Sequence, residues 1–249
     1  NGIDSMRFGP DGAVYVLDWH DADICGKEVL HKETGRVFRI AATESLADRQ
    51  AFRPKDLAKL DDAQLARLQQ SASAWHARRA RVILQARAAD SEIREDAVAA
   101  VGNLVRDSDR VAHRLRAMWT LHQIGAWSPE QLIASLEDRS EYVRSWAIQL
   151  LCEDFSPSQP ALRRFALLAR DDPSPVVRLY LAAALQRLDP LERWPIAEQL
   201  VGHAEDAGDH NLPKMIWFGI EAAVPGDPER AMELAAASRI PVVTRHIAR

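Results

Sequence analysis

Hydrophobic and polar residues alternate with a period of two up to about residue 41, and with a period near 3.6 from about Pro54 onward. In the first stretch "SMRFG" and "AVYVLDW" flank Pro10, Asp11 and Gly12, and "RVFRIA" follows a turn at Thr34 and Gly35. Proline presets φ for a turn and glycine tolerates φ > 0, so this pattern predicts two or three short antiparallel strands. So small a sheet encloses too little core to stand alone, and it is expected to belong to a larger β structure upstream.

The longer, 3.6-period stretch carries its own start and stop signals. Ser128-Pro129, Ser174-Pro175, Asp189-Pro190 and Asp227-Pro228 each put a capping side chain before a proline at the first helical position. Ser128 and Gln131 have the spacing of a capping box, and Gly125 after "WTLHQI" predicts a helix stop. About ten helices and no strand are expected here.

These helices repeat. "AWHARRARVILQ", "AHRLRAMWTLHQ", "EYVRSWAIQLLC", "PVVRLYLAAALQ" and "LPKMIWFGIEAA" follow one another about 30 to 37 residues apart. A basic or small residue is followed three and seven positions later by core residues. Ala77, Ala80 and Leu84 match Arg114, Ala117 and Leu121, then Arg144, Ala147 and Leu151, then Arg178, Leu181 and Leu185. Lys214, Trp217 and Glu221 continue the spacing with a polar last position. Self-similarity at this period is the signature of a helical-pair solenoid of four to five repeats. The Val-Arg step in "SEYVRSWAIQLL" and "SPVVRLYLAAAL" resembles the HEAT repeat, with the valine packed inward and the arginine reaching an acid or helix terminus of a neighbouring repeat. The expected fold is therefore mainly α, a HEAT-like α-α superhelix over 55–249 after a β segment over 1–41 and a linker over 42–54.

Composition narrows the function classes. The 249 residues are 47% hydrophobic and 27% charged, which suits one or two domains with a sizeable core. A net charge of −4, with basic and acidic residues interspersed, gives no general attraction to nucleic acid or anionic membranes. No stretch approaches the apolar length of a membrane span, and no signal peptide is visible. The two cysteines, Cys25 and Cys152, lie in different modules and do not form a disulfide framework. The chain opens at Asn1 inside a strand-like pattern and stops at Arg249 in a helix-like one, as expected for part of a longer protein.

Candidate chemistry concentrates in the acidic loop after "AVYVL". Asp18, His20, Asp21 and Asp23 offer carboxylates suited to Ca²⁺ or Mg²⁺ and an imidazole suited to Zn²⁺, although the spacing is not that of an EF-hand. The other reading is an acidic loop that caps its own backbone through Asx turns. Cys25 reads as a reactive thiol or a small buried residue, and His31 as a neighbour of the loop or a solvated hairpin residue. "HAEDAGDHNLP", 203–213, is a second acid and histidine cluster between helices, where an inter-repeat loop is expected. Trp75, Trp119, Trp146 and Trp217 fall at or beside the repeated core positions and read as core. No nucleophile elbow, phosphate loop, dinucleotide fingerprint, zincin motif or Cys-x-x-Cys-His occurs, so no catalytic residue is assigned.

Taken together, "FGPDGAVYVLDWHDADICGKEVLHKETGRVFRI" resembles the last propeller blade of the membrane-bound dehydrogenase-like proteins of planctomycete-type bacteria. "LRAMWTLHQIGAWS", "VRSWAIQLL", "PSPVVRLYLAAALQRL", "RWPIAEQLVGHAEDAGDHNLPKMIWFGIE" and "VVTRHIAR" are similar to the HEAT-type segment of the same family. The resemblance implies a β-propeller similar to quinoprotein sugar dehydrogenases before the repeats, and often a cytochrome c-like domain after them. It implies a periplasmic or secreted oxidoreductase of sugars or alcohols, whose full-length form would use a PQQ-like quinone, Ca²⁺ and haem c. The repeats would be a spacer between the adjacent propeller and cytochrome domains, not catalytic by themselves. Blade-end loops can face a propeller's central site, which adds weight to cofactor or metal contact by the acidic loop. The rival expectation is a non-enzymatic scaffold with a protein partner on the solenoid surface.

Overall fold

The computed structural model describes residues 2–19, 35–42 and 56–249. Three antiparallel strands, β1 (Gly2–Phe8), β2 (Val14–Trp19) and β3 (Arg36–Ile40), pair in that order. Gly9 donates its amide to the Ala13 carbonyl at 2.9 Å, and Gly12 takes φ 77°, so the Pro10-Asp11-Gly12 turn closes the first hairpin. Asp11 secures it further by accepting from the Ala13 amide, the Tyr15 hydroxyl and Arg39 Nε across the sheet. In the pairing register Met6, Phe8, Val14, Val16, Phe38 and Ile40 share one face. Only Val16 of these is buried; Met6 and Phe8 are exposed and line a depression with Trp75, Arg78 and Val82.

Helix dominates the rest, with twelve α-helices among the described residues where about ten were expected. The difference lies in short helices such as Asp62–Arg67 and Pro129–Ala134, each running on into a 3-10 turn. The first four are α1 (Asp62–Arg67), α2 (Ala74–Asp90), α3 (Glu95–Asp107) and α4 (Val111–Gln123). They are followed by α5 (Pro129–Ala134), α6 (Glu141–Leu151), α7 (Gln159–Asp171) and α8 (Pro175–Ala184). The last four are α9 (Pro190–Leu200), α10 (Leu212–Ile220), α11 (Pro228–Ala237) and α12 (Pro241–Ile247). Ser128, Ser174 and Asp227 cap their helices as the sequence predicts, and Ser128 closes the capping box with Gln131. Asp189 precedes α9 without a side-chain cap. Gly125 adopts φ 69° just past α4, the left-handed stop expected there.

Two compact units are present: residues 1–107 with 116–124, and residues 108–115 with 125–249. In the first, Leu57, Leu65, Ala80 and Leu84 form the core, with Trp75 and Ile83 against it. Asp62 ties this unit together, taking Arg87 Nη1 at 2.7 Å while Arg87 Nη2 donates to the Ala58 and Leu60 carbonyls.

In the second unit α5, α6, α7, α8 and α10 each pack on the next helix but one. One row is α6, α8, α10 and α12; the other contains α5, α7 and α9. Ala147, Leu181 and Leu185 are fully buried in this unit, and Leu151 nearly so. The fifth copy of the repeated spacing departs from expectation. Lys214 and Glu221 are exposed and Trp217 is half-buried, while Ile216, Gly219 and Ile220 face the core. Asn211 starts α10 one position off the template, so the buried stripe rotates with it.

Candidate functional site

A ladder of ion pairs runs through the second unit. Arg144 opens α6 and donates Nη1 to the carbonyl of Asp138 at 2.8 Å, in the turn preceding its own helix. Its Nε and Nη2 reach forward to both oxygens of Asp172 at 2.7 and 2.8 Å. Arg178 of α8 repeats the arrangement, with Nη1 on the Asp172 carbonyl at 2.9 Å and a fork on Asp206 at 2.6 and 2.7 Å. Arg114 pairs with the Asp138 carboxylate at the start of the series. Asp138 and Asp172 also accept the backbone amides of Ser140 and Ser174, fixing the turns that launch α6 and α8.

Asp138 and Asp172 thus each join two successive segments through carboxylate and carbonyl together. Two-pronged charge-assisted bonds are among the strongest in proteins, and here they satisfy groups whose burial alone would be costly. Asp206 raises the Arg178 pKa above its ordinary range, with burial opposing it. Arg114 and Arg178 are buried, as are Ala117 and Leu121 of α4.

Across the row α6, α8 and α10 lies a groove of about 440 Å³. Leu179, Ala183, Ala184 and Met215 supply apolar lining, and Gln149, Tyr180, Asn211 and Arg187 supply polar groups. Arg187 stands over the Phe155 ring at 4.8 Å and donates to the Cys152 carbonyl at 3.4 Å. Phe155 holds φ 62°, a left-handed conformation uncommon for a bulky side chain, and its ring is exposed. Cys152 lies in the same groove, fully buried, and burial pushes its thiol up to about 12. Such a thiol is protonated at neutral pH and is not a nucleophile.

Of the metal candidates, Asp18 sits in β2 opposite Arg36, while His20, Asp21 and Asp23 lie outside the described residues, as do Cys25 and His31. Among the described residues no group of three or more His, Cys, Asp or Glu side chains is placed to hold a metal ion. The 203–213 cluster is an inter-helix segment whose acids are engaged locally. His203 hydrogen-bonds to Glu205 at 2.9 Å and to the Ala169 carbonyl at 2.8 Å. Asp206 takes Arg178, and Asp209 accepts the Asn211 and Leu212 amides that start α10, which hold its carboxyl below the ordinary range.

Trp75, Trp119, Trp146 and Trp217 are half-buried, and Trp194 is packed completely inside. The groove residues escape sequence reading because they come from three helices and form no contiguous motif. The one local cue is Asn211 next to a helix start, which reads equally as a cap.

No helix among the described residues is long and apolar enough to cross a membrane. No protein-family model matches the chain, and no curated protein matches it.

Proposed function

We propose that the second unit is a HEAT-like solenoid that serves as a scaffold, a rigid spacer with a docking surface and no catalytic centre of its own. The observation carrying this reading is the ladder's period. Asp138, Asp172 and Asp206 are 34 residues apart, as are Arg144 and Arg178, and the same bonds recur at each step. A repeating interface of this kind holds neighbouring repeats in one relation, which a spacer needs.

In the wider protein this scaffold would join the end of a β-propeller to a haem domain in a periplasmic or secreted oxidoreductase of sugars or alcohols. That context rests on the family resemblance of the quoted motifs, together with a three-stranded antiparallel sheet that leaves Met6, Phe8, Phe38 and Ile40 exposed. The test is electron transfer in the full-length protein. Substrate should reduce an artificial dye and the haem in the wild type. A full-length variant carrying Arg144→Ala and Arg178→Ala should keep dye reduction and lose haem reduction. A reading frame without Cys-x-x-Cys-His, in a protein binding neither quinone nor metal, would remove the redox context and leave a protein-interaction scaffold.

A further inference from the structure

We infer that the groove across α6, α8 and α10 is a docking site for an extended peptide of a partner protein, carrying one carboxylate among small apolar side chains. The inference rests on the scaffold reading and names the chemistry of its partner. Shape is the first argument. Three neighbouring helices at about 8–10 Å between axes make a trough of roughly 16–20 Å. An extended strand of about six residues at roughly 3.3 Å each covers that length. The trough is lined from all three helices, by Gln149 of α6, Tyr180 of α8 and Asn211 at the start of α10.

The lining chemistry fits a peptide backbone. The Gln149 and Asn211 carboxamides and the Tyr180 hydroxyl have no side-chain hydrogen bond among the described residues. A carboxamide donates and accepts together, which matches a peptide group. Between them Leu179, Ala183 and Met215 offer an apolar floor for side chains of alternate residues.

Charge sets the third requirement. Arg187 has no carboxylate partner among the described residues, in contrast to the paired arginines of the ladder. It is instead held in place by the Phe155 ring and a single carbonyl, leaving its remaining donors for an incoming carboxylate. The left-handed Phe155 that supports it is the one non-glycine residue with positive φ among those described, and backbone strain of this sort gathers at binding sites.

The experiment uses the full chain and six fluorescein-labelled hexapeptides of alternating Ala and Leu, with one Asp walked through the six positions. Fluorescence polarisation should show saturable binding for at least one peptide. Its Asn analogue should bind at least about tenfold more weakly, a loss of about 1.4 kcal/mol. Arg187→Gln should cause a similar loss, and Ala183→Gln, which fills the exposed floor, should weaken every peptide. Helical circular dichroism and its thermal transition should be unchanged in both variants. The inference is overturned if no peptide saturates below about 1 mM, if the Asn analogue binds equally, or if hexanoate binds while every peptide fails. In each case an intact thermal transition would leave the scaffold reading standing, whereas loss of haem reduction bears on that reading alone.

Discussion

Gly219 lies in α10 directly against Leu185, at the turn that follows α8. A β-carbon there would come within 2.6 Å of Leu185 Cβ, which cannot swing aside as a side-chain tip can. Gly219→Ala gains about 1 kcal/mol in helix propensity but incurs overpacking of about 1–3 kcal/mol. A net loss of up to about 2 kcal/mol is expected, read as a lower urea midpoint at unchanged slope. Cys152 should resist alkylation in the folded chain at pH 8 and become labelled only as the chain unfolds, as peptide mapping by mass spectrometry would report. At Asp11 burial favours the neutral acid, but Arg39, the Ala13 amide and the Tyr15 hydroxyl outweigh it and hold the carboxyl below 3.8. The hairpin therefore keeps this contribution above pH 3.8 and loses it as pH falls through the depressed value. Carboxyl NMR titration should show the lowered pKa, and Arg39→Gln should move it back toward 3.8.

At the scale of elements, starts and stops are written locally. The hydroxyl of Ser128 and the amide of Gln131 complete the α5 cap within four residues, so Ser128→Ala should cost about 1 kcal/mol in a urea melt. The Pro10-Asp11-Gly12 turn and the Gly125 stop are equally local, and both were legible from residue type alone. Legibility fell where an element's register depended on a neighbour. In α10 the repeated spacing pointed to Trp217 and Glu221, yet Gly219, packed against Leu185, lies in the core with Ile216 and Ile220. The groove had no linear signature at all, because Gln149, Tyr180, Arg187 and Asn211 meet only when three helices lie side by side.

For the whole molecule, the ladder yields the sharpest prediction. Arg178→Met leaves Asp206 buried without its forked partner and should cost about 3–5 kcal/mol. The double variant Arg178→Met, Asp206→Leu should recover most of that loss in a urea melt, because an apolar pair of similar volume needs no compensation. Equal losses in the single and double variants would show that packing, not charge, sets the cost. The sequence by itself determined the change of period from sheet to helix, the starts of α5, α8, α9 and α11, the stop of α4 and the recurrence of Arg114, Arg144 and Arg178, because caps, turns and periodicity act over a few residues. Only the tertiary structure decided which aspartate each arginine grips, at a separation of 28 residues for Arg144 and Arg178, and which arginine keeps no acidic partner among the described residues. The physical reason is that helical spacing orders residues along one element, whereas burial and charge pairing are settled by the elements that pack against it.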